Sequence, residues 1–256
     1  MNTMNNLTTF KSKQKEVSKM KGKIIIIMVL AIALLGAGAA LAGITATKHN
    51  LSSTGTGTVK ASVGQQNDEI CVWCHTPHFA NTTFTGAPLW NKATPSGTYT
   101  MYGTTIAGTI PDAAPNGVTK ACLSCHDGVN AINSLVNQAG SGGVVPTGTN
   151  VAFGATPLNT ALLMTGASTN ITQNLADDHP VSILYTAGKA SLKATSTVFG
   201  TSTLAALLRN GKVECSSCHD PHTATGDTTG QGTTAGALFL RLANAGSALC
   251  LSCHGK

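Results

Sequence analysis

The sequence has few of the side chains that build an ordinary protein core. Of its 256 residues, only 4% are aromatic and 10% are charged, while Gly, Thr, Ala and Ser fill much of the chain. A chain so poor in large apolar side chains buries little apolar surface by itself. We therefore expect another component to complete the core.

Outside its first 23 residues the chain also lacks an excess of either charge. The formal net charge is +6, but six of the sixteen basic residues precede residue 24, against one acidic residue, Glu16. The rest of the chain carries ten basic and nine acidic residues. Because nucleic-acid binding needs a basic patch, the sequence predicts no nucleic-acid partner.

No cysteine stands alone: all eight fall in four C-x-x-C-H pentapeptides. These are Cys71-Val72-Trp73-Cys74-His75, Cys122-Leu123-Ser124-Cys125-His126, Cys215-Ser216-Ser217-Cys218-His219 and Cys250-Leu251-Ser252-Cys253-His254. Two thiols at this spacing can both reach the vinyl groups on one porphyrin edge, and the following histidine can bind the iron. Zinc sites and disulfides also use C-x-x-C pairs, but neither explains a histidine after all four. The pattern predicts four covalently bound haem c groups.

Four haems would supply the missing core, so we expect the chain without haem to be largely unfolded. The predicted fold is mostly irregular, with a few short α-helices and minimal β-structure, organised around the haems. Pro and Gly interrupt nearly all of the chain, and no sustained period-two alternation is present. Helices are predicted over 120–126, 203–209 and 247–254, and another over 128–138.

The histidine count matches the number of axial ligands that four haems need. His75, His126, His219 and His254 follow the cysteines as proximal ligands, which leaves four distal candidates: His49, His78, His179 and His222. Methionine is the competing ligand, but only Met101 and Met164 lie outside the leader.

Two of the distal candidates recur three residues past a haem motif. A histidine so close to its own motif cannot reach the opposite face of that ring. We therefore predict that His78 ligates the second haem and His222 the fourth.

Iron with two histidine ligands has no open position for a substrate, so the sequence predicts an electron-transfer protein and not an enzyme. Four acidic residues stand near the ligands: Asp127, Asp177, Asp178 and Asp220. They either accept hydrogen bonds from imidazole N–H groups or are simple solvated acids, and the sequence leaves both readings open.

The N-terminal region has the pattern of a secretory signal. A basic segment precedes the apolar run 24–35, and Ala40-Leu41-Ala42 fits a cleavage site, which predicts a signal peptide over 1–42 and a mature chain from Gly43. The mainly apolar stretch 24–46 is also long enough to span a bilayer, so an uncleaved anchor is the alternative. In either case the cysteines lie outside the cytoplasm.

The rest of the chain, 43–256, divides into two related halves. Each half, about 43–138 and 177–256, contains an upstream histidine, then C-x-x-C-H-x-P-H, then C-x-x-C-H. The Gly- and Thr-rich stretch 139–176 joins them, and we expect it to be an irregular connector packed on the haems. The repeat predicts two haem pairs.

Eight segments follow one another along the chain: EICVWCHTPH, APLW, YTMYG, KACLSCHDG, DHPVS, ECSSCHDPH, LFLR and LCLSCHGK. In this order they resemble a family of secreted multihaem cytochromes, and most closely its tetrahaem members that polymerise into extracellular nanowires. The resemblance runs from about His49 to Lys256. It implies a mostly coil fold, haems in alternating stacked and T-shaped pairs, and subunits joined into a continuous haem chain that exports electrons to acceptors outside the cell.

His49 lies only seven residues into the predicted mature chain, where little fixes it within its own subunit. We expect it to ligate a haem of a neighbouring subunit in a homopolymer, and the resemblance points the same way.

Two other functions remain: a monomeric periplasmic or membrane-anchored tetrahaem electron shuttle or quinol dehydrogenase subunit, and a haem enzyme with one five-coordinate iron. The 93 residues from Cys122 to Cys215 exceed the motif spacing of that dehydrogenase class.

Overall fold

A computed structural model of the chain describes residues 43–61, 68–137, 158–166, 169–199, 202–222, 239–242 and 244–255. The chain divides into two compact units, Met1–Ala42 and Gly43–Lys256. The first unit, where the signal peptide or anchor is predicted, lies outside the described residues, and so does 139–157 of the connector. In the described ranges the backbone is mostly irregular, with short helices and very short strands.

The described helices are short. They are α1 Gly117–His126, α2 Leu204–Leu207, α3 Cys215–Cys218 and α4 Ala248–Cys253, with 3-10 turns at Cys71–Trp73 and Ala245–Ser247. The described strands have two residues each: β1 Ile183–Leu184, β2 Val198–Phe199, β3 Ser202–Thr203 and β4 Lys212–Val213. Strands β1 and β4 pair antiparallel with Ile183 opposite Val213, and β2 and β3 pair antiparallel with Val198 opposite Thr203.

Helices α1, α2 and α4 lie where the sequence predicted helices, but the helix predicted over 128–138 is wrong for the described residues 128–137, which form turns. The reason lies in Asp127. Its Oδ1 accepts hydrogen bonds from the main-chain N–H groups of Val129 and Asn130, both at 2.9 Å. These bonds offer the backbone an alternative to a helix.

Helix α1 begins and ends at residues suited to those positions. The Asn116 side chain accepts a hydrogen bond from Gly117 N at 2.7 Å, as an N-cap residue does. Gly128, two residues past the last helical residue, has φ +71°, and a Cβ there would lie 2.5 Å from the Asn170 side chain. Glycine is therefore needed at this position both for the backbone conformation and for space.

The largest described apolar cluster belongs to the first half and the connector. Its buried members come from four separated stretches: Leu51, Val59, Ala61, Trp73, Ile132, Leu135, Leu158 and Met164. Ile132 N donates to Leu162 O at 3.0 Å, which fixes the connector segment 158–166 to the chain that follows α1. The described part of the connector thus packs on the first half.

The two halves share a main-chain hairpin that follows the first haem motif of each. We call 89–92 and 239–242 the return segments. Thr76 N donates to Leu89 O at 2.9 Å and Asn91 N to Cys74 O at 2.8 Å. In the second half, Asp220 N donates to Phe239 O and Arg241 N to Cys218 O, both at 2.8 Å. Leu89 and Phe239, which begin the return segments, have the same left-handed φ of 54°.

Candidate haem-binding centres

Each haem motif forms a helical turn that carries its own closing hydrogen bond. The histidine N–H donates to the carbonyl of the first cysteine in motifs one, three and four, at 2.8 to 3.0 Å, and motif two is the end of α1. We name the centres by their residues: centre 1 (Cys71, Cys74, His75), centre 2 (Cys122, Cys125, His126), centre 3 (Cys215, Cys218, His219) and centre 4 (Cys250, Cys253, His254). All eight cysteines are free thiols.

Six of the proximal and distal histidines lie in three pairs of nearly constant separation. The ring centroids are 6.0 Å apart for His75 and His222, 6.1 Å for His49 and His126, and 6.4 Å for His179 and His254. Two imidazoles on opposite sides of one metal, each bound at about 2.0–2.1 Å with about 1.1 Å more to the ring centre, would have centroids about 6.3 Å apart. The three pairs therefore have room for one axially ligated iron each.

The hydrogen bonds of two proximal histidine rings leave Nε2 as the nitrogen that can bind a metal. Nδ1 of His75 lies 2.7 Å from Pro88 O, and Nδ1 of His126 lies 2.7 Å from Thr169 O. A carbonyl can only accept, so each Nδ1 carries the proton and Nε2 keeps its lone pair for a metal. These carbonyl partners have no signature in the sequence, because any residue type supplies a carbonyl.

The distal rings are held in similar ways. Nδ1 of His179 lies 3.1 Å from Pro180 O, and Nδ1 of His222 lies 3.4 Å from Asp220 Oδ1. His49 is different, because its Nδ1 is buried without a hydrogen-bond partner among the described residues. Such an orphaned ring nitrogen costs about 1–3 kcal/mol unless something binds it. The ring of His49 also packs on Phe239, with centroids 4.3 Å apart.

Electrostatics keep several of these rings neutral, which is the form that binds a metal. Burial lowers the pKa of His49 to about 3, helped by the nearby charges of His126, His222 and His219. Burial likewise lowers the pKa values of His126 and His75. His222 differs, since its hydrogen bond with Asp220 raises its pKa.

The centres follow one another in space in the order of the chain. Thiols of successive centres interact: Cys74 with Cys125, Cys122 with Cys215, and Cys218 with Cys253. The Cys122 and Cys215 thiols are within hydrogen-bonding reach. Burial raises the pKa of Cys74 to about 12 and that of Cys218 to about 11. Four groups attached to these thiols would therefore form a continuous row.

The histidine rings that lie near one another are not the pairs predicted from the sequence, so the ligand assignments stay predictions. His222 lies against His75 of centre 1 and not against His254, and centre 2 is faced by His49 and not by His78. The repeat identified equivalent positions correctly, but it contains no information on which ring each side chain reaches. His179 faces His254, which leaves His78 and His219, both exposed, as the remaining distal and proximal residues.

The four acidic residues near the ligands divide into three kinds. Asp220 contacts an imidazole, that of His222. Asp127 is buried and accepts from Tyr99 Oη at 2.8 Å as well as from the main chain, while the neighbouring His126 bonds to Thr169 instead. Asp177 and Asp178 are exposed, as solvated acids are. Of the two methionines outside the leader, Met164 belongs to the apolar cluster.

The donor set fits a haem iron, which takes four nitrogens from the porphyrin and needs only two ligands from the protein. In the ranges that the structure describes, no group of three or more His, Cys, Asp or Glu side chains is close enough to bind a bare metal ion. Among these same residues, no helix is both long enough and apolar enough to cross a bilayer.

No protein-family model matches the sequence, and no curated protein is significantly similar to it.

Proposed function

We propose that this chain is a tetrahaem c-type cytochrome that transfers electrons through four bis-histidine haems and polymerises into an extracellular conducting filament. The observation that carries the proposal is the set of three histidine pairs with centroids 6.0 to 6.4 Å apart. Each pair combines one histidine of a C-x-x-C-H motif with one from elsewhere in the chain. The haem iron, when bound, supplies a one-electron couple.

The chain's own residues hold the group and exclude other ligands. The two cysteines of each motif would hold the haem through thioether bonds, each formed by addition of an S–H across a vinyl double bond without net oxidation. The three histidine pairs, and His78 with His219 as the fourth, would fill both iron positions of each haem and leave no coordination site for a substrate. The protein is therefore an electron carrier and not an enzyme.

The row of four centres supports transfer over a distance longer than one haem. Because the cysteines of successive centres influence one another's pKa from Cys74 to Cys253, haems attached to them would form a row along which an electron could pass from centre 1 to centre 4. Such a row becomes a conductor when subunits join end to end. In that assembly the His49–His126 pair forms between chains, with segment 43–61 of one chain docked on its neighbour, as in a domain swap.

A monomeric electron shuttle, released or anchored outside the cytoplasm, is the second candidate. The specific observation in its favour is that His49 faces His126 of its own chain, so that one chain completes three iron sites by itself.

Two measurements test these proposals. Intact mass spectrometry of the exported protein should give four haems on a chain beginning at Gly43, and its absorption and electron paramagnetic resonance spectra should show only low-spin iron. Three or fewer haems, or a large high-spin fraction, would contradict the cytochrome proposal.

Electron microscopy of sheared cell supernatant then separates the two candidates. Filaments whose His49→Ala variant yields monomers with one partly high-spin haem support the polymer. Soluble monomers with four low-spin haems in the unmodified protein support the shuttle. A His49→Ala variant that keeps four low-spin haems would show that His49 is not a ligand.

A further inference from the structure

We propose that the buried ammonium group of Lys92 raises the reduction potential of the haem held by centre 1. This inference rests on the proposed cytochrome function and adds a residue that neither binds nor touches the iron. It starts from a side chain that is unusual for its burial: Lys92 is 1% exposed. Lysine is almost never fully buried unless it is paired.

The partners of Lys92 are carbonyl groups. Its Nζ donates to Ala131 O at 3.3 Å and to Ile132 O, in the turn that follows centre 2. Within the part of the chain that the structure describes, no carboxylate forms an ion pair with it. Carbonyl dipoles stabilise the ammonium form without cancelling its charge, so the field of that charge extends into its surroundings.

The backbone fixes the position of this charge. Lys92 pairs with Leu135 in an isolated antiparallel bridge, and Ala93 N donates to Ser134 O at 3.0 Å. From there the charge lies beside centre 1, because Asn91 N, next to Lys92, donates to Cys74 O at 2.8 Å. Ile132, whose carbonyl accepts from Nζ, also belongs to the apolar cluster against which Cys74 packs. Cys74 is one of the two residues that would attach the haem of centre 1. Lys92 is therefore a fixed positive charge beside that haem.

A positive charge in a low-dielectric interior disfavours the more positive of two redox states. Reduction of Fe(III) by one electron lowers the charge of the centre by one, so Lys92 stabilises the reduced form. We expect a buried unit charge beside the haem to shift its one-electron equilibrium by about tenfold, which corresponds to about 59 mV.

The second half has no such charge at the equivalent position. Because His75 is bridged to Trp90 as His219 is bridged to Leu240, Lys92 corresponds to Leu242. Two arginines do approach centre 3: Arg209 Nε donates to Ser216 Oγ at 3.2 Å and Arg241 Nη1 to Ser216 O at 3.0 Å. Both are only half-buried, so water screens them more than Lys92. The first half thus has a buried positive charge beside its first motif, and the second half has none at the equivalent position.

The test is a spectroelectrochemical titration of the full-length holoprotein and of two neutral variants, Lys92→Met and Lys92→Gln. Methionine matches the shape of the stem, while glutamine keeps an N–H donor for the carbonyls. At a fixed potential we expect the oxidised-to-reduced ratio of one haem to rise about tenfold, or about 59 mV, with the other three nearly unchanged. Paramagnetic nuclear magnetic resonance should assign that haem to Cys71 and Cys74.

The matched control is Lys193→Met. Lys193 Nζ also donates to a motif carbonyl, Leu251 O at 2.6 Å, but it lies at centre 4 and is half-buried. This variant should leave the haem of centre 1 unchanged.

Each other outcome is decisive. If either neutral variant keeps four haems with four unchanged potentials, Lys92 does not tune centre 1 and this inference fails, although the cytochrome proposal stands. If neither variant keeps four haems, Lys92 is a structural residue and the inference also fails. If the unmodified protein carries no haem, the cytochrome proposal itself is overturned.

Discussion

The return segments 89–92 and 239–242 make the same main-chain bonds with different side chains. In the first half, Asn91 is fully buried and donates from Nδ2 to Val72 O at 2.7 Å. In the second half, Arg241 donates to Ser216 O, the equivalent carbonyl, at 3.0 Å. The comparison teaches that the backbone hairpin is the common unit, and that each half stabilises it by its own chemistry.

The surroundings of the two hairpins differ more strongly. Trp73, inside the first motif, is buried in the apolar cluster, whereas Ser217 occupies the same position in the third motif and accepts from Glu214 N at 3.0 Å. Glu214 is buried and accepts hydrogen bonds from Thr119 and Ser182. The first motif therefore rests on an apolar cluster, whereas the third is held by polar hydrogen bonds and would depend more on a bound haem.

The largest expected effect comes from removing one haem from each half in turn. The double variant Cys71→Ala/Cys74→Ala should lose one haem and keep a folded first half, because the apolar cluster remains. The double variant Cys215→Ala/Cys218→Ala should lose one haem and become sensitive to protease over much of the second half. Haem counting with limited proteolysis measures both. Equal protease sensitivity in the two variants would show that the two halves do not differ in their dependence on a bound haem.

Loss of a distal ligand is the next largest effect, and it tests which half uses His222. The variant His222→Ala should make the haem of centre 1 high-spin, about a quarter of the total iron, and leave centre 4 low-spin, since the His222 ring faces His75. Magnetic circular dichroism gives the fraction, and paramagnetic shifts identify the haem. His179→Ala is the matched variant for centre 4. A high-spin centre 4 in His222→Ala would instead restore the assignment drawn from the sequence.

A smaller difference is expected between the two side chains that secure the hairpins. Asn91→Ala should destabilise the protein by about 2–3 kcal/mol, because Asn91 also donates to Asn137 O and accepts from Asn137 N. Arg241→Ala removes a half-buried donor and should cost about 1 kcal/mol or less. Denaturant unfolding of the holoproteins measures both free energies. A larger loss for Arg241→Ala would show that the second hairpin is the more dependent on its side chain.

The smallest effect is the pH dependence that Glu214 contributes to the second half. Burial raises the pKa of its carboxyl group, so the folded protein holds this proton more tightly than the unfolded chain. The stability contributed by Glu214 is therefore full below about pH 4.3 and falls as the pH rises toward the folded-state pKa. In Glu214→Gln this slope should disappear, and thermal unfolding between pH 4 and 8 measures it. Parallel curves for the two proteins would contradict the prediction.

Three helices could be predicted from the sequence because each depends on local spacing, while haem binding and its ligands stay predictions. The closing bond from a motif histidine to its first cysteine spans four residues, and any chain with this spacing can make it. The partners of the distal rings did not follow, because His222 and His75 are 147 residues apart and only the folded backbone brings them together. The role of Thr169 O was equally hidden, since carbonyl groups do not differ between residue types.

The hairpin behind each first motif is closed by the same main-chain bonds although different side chains secure it, and its left-handed first residue is leucine in one copy and phenylalanine in the other. A unit that closes without particular side chains can be duplicated within a gene and still fold in its new position. Each copy is then free to diverge, as Asn91 and Arg241 have, while the position of its C-x-x-C-H motif is retained. Such a unit allows a chain to gain C-x-x-C-H motifs in steps, one duplication at a time.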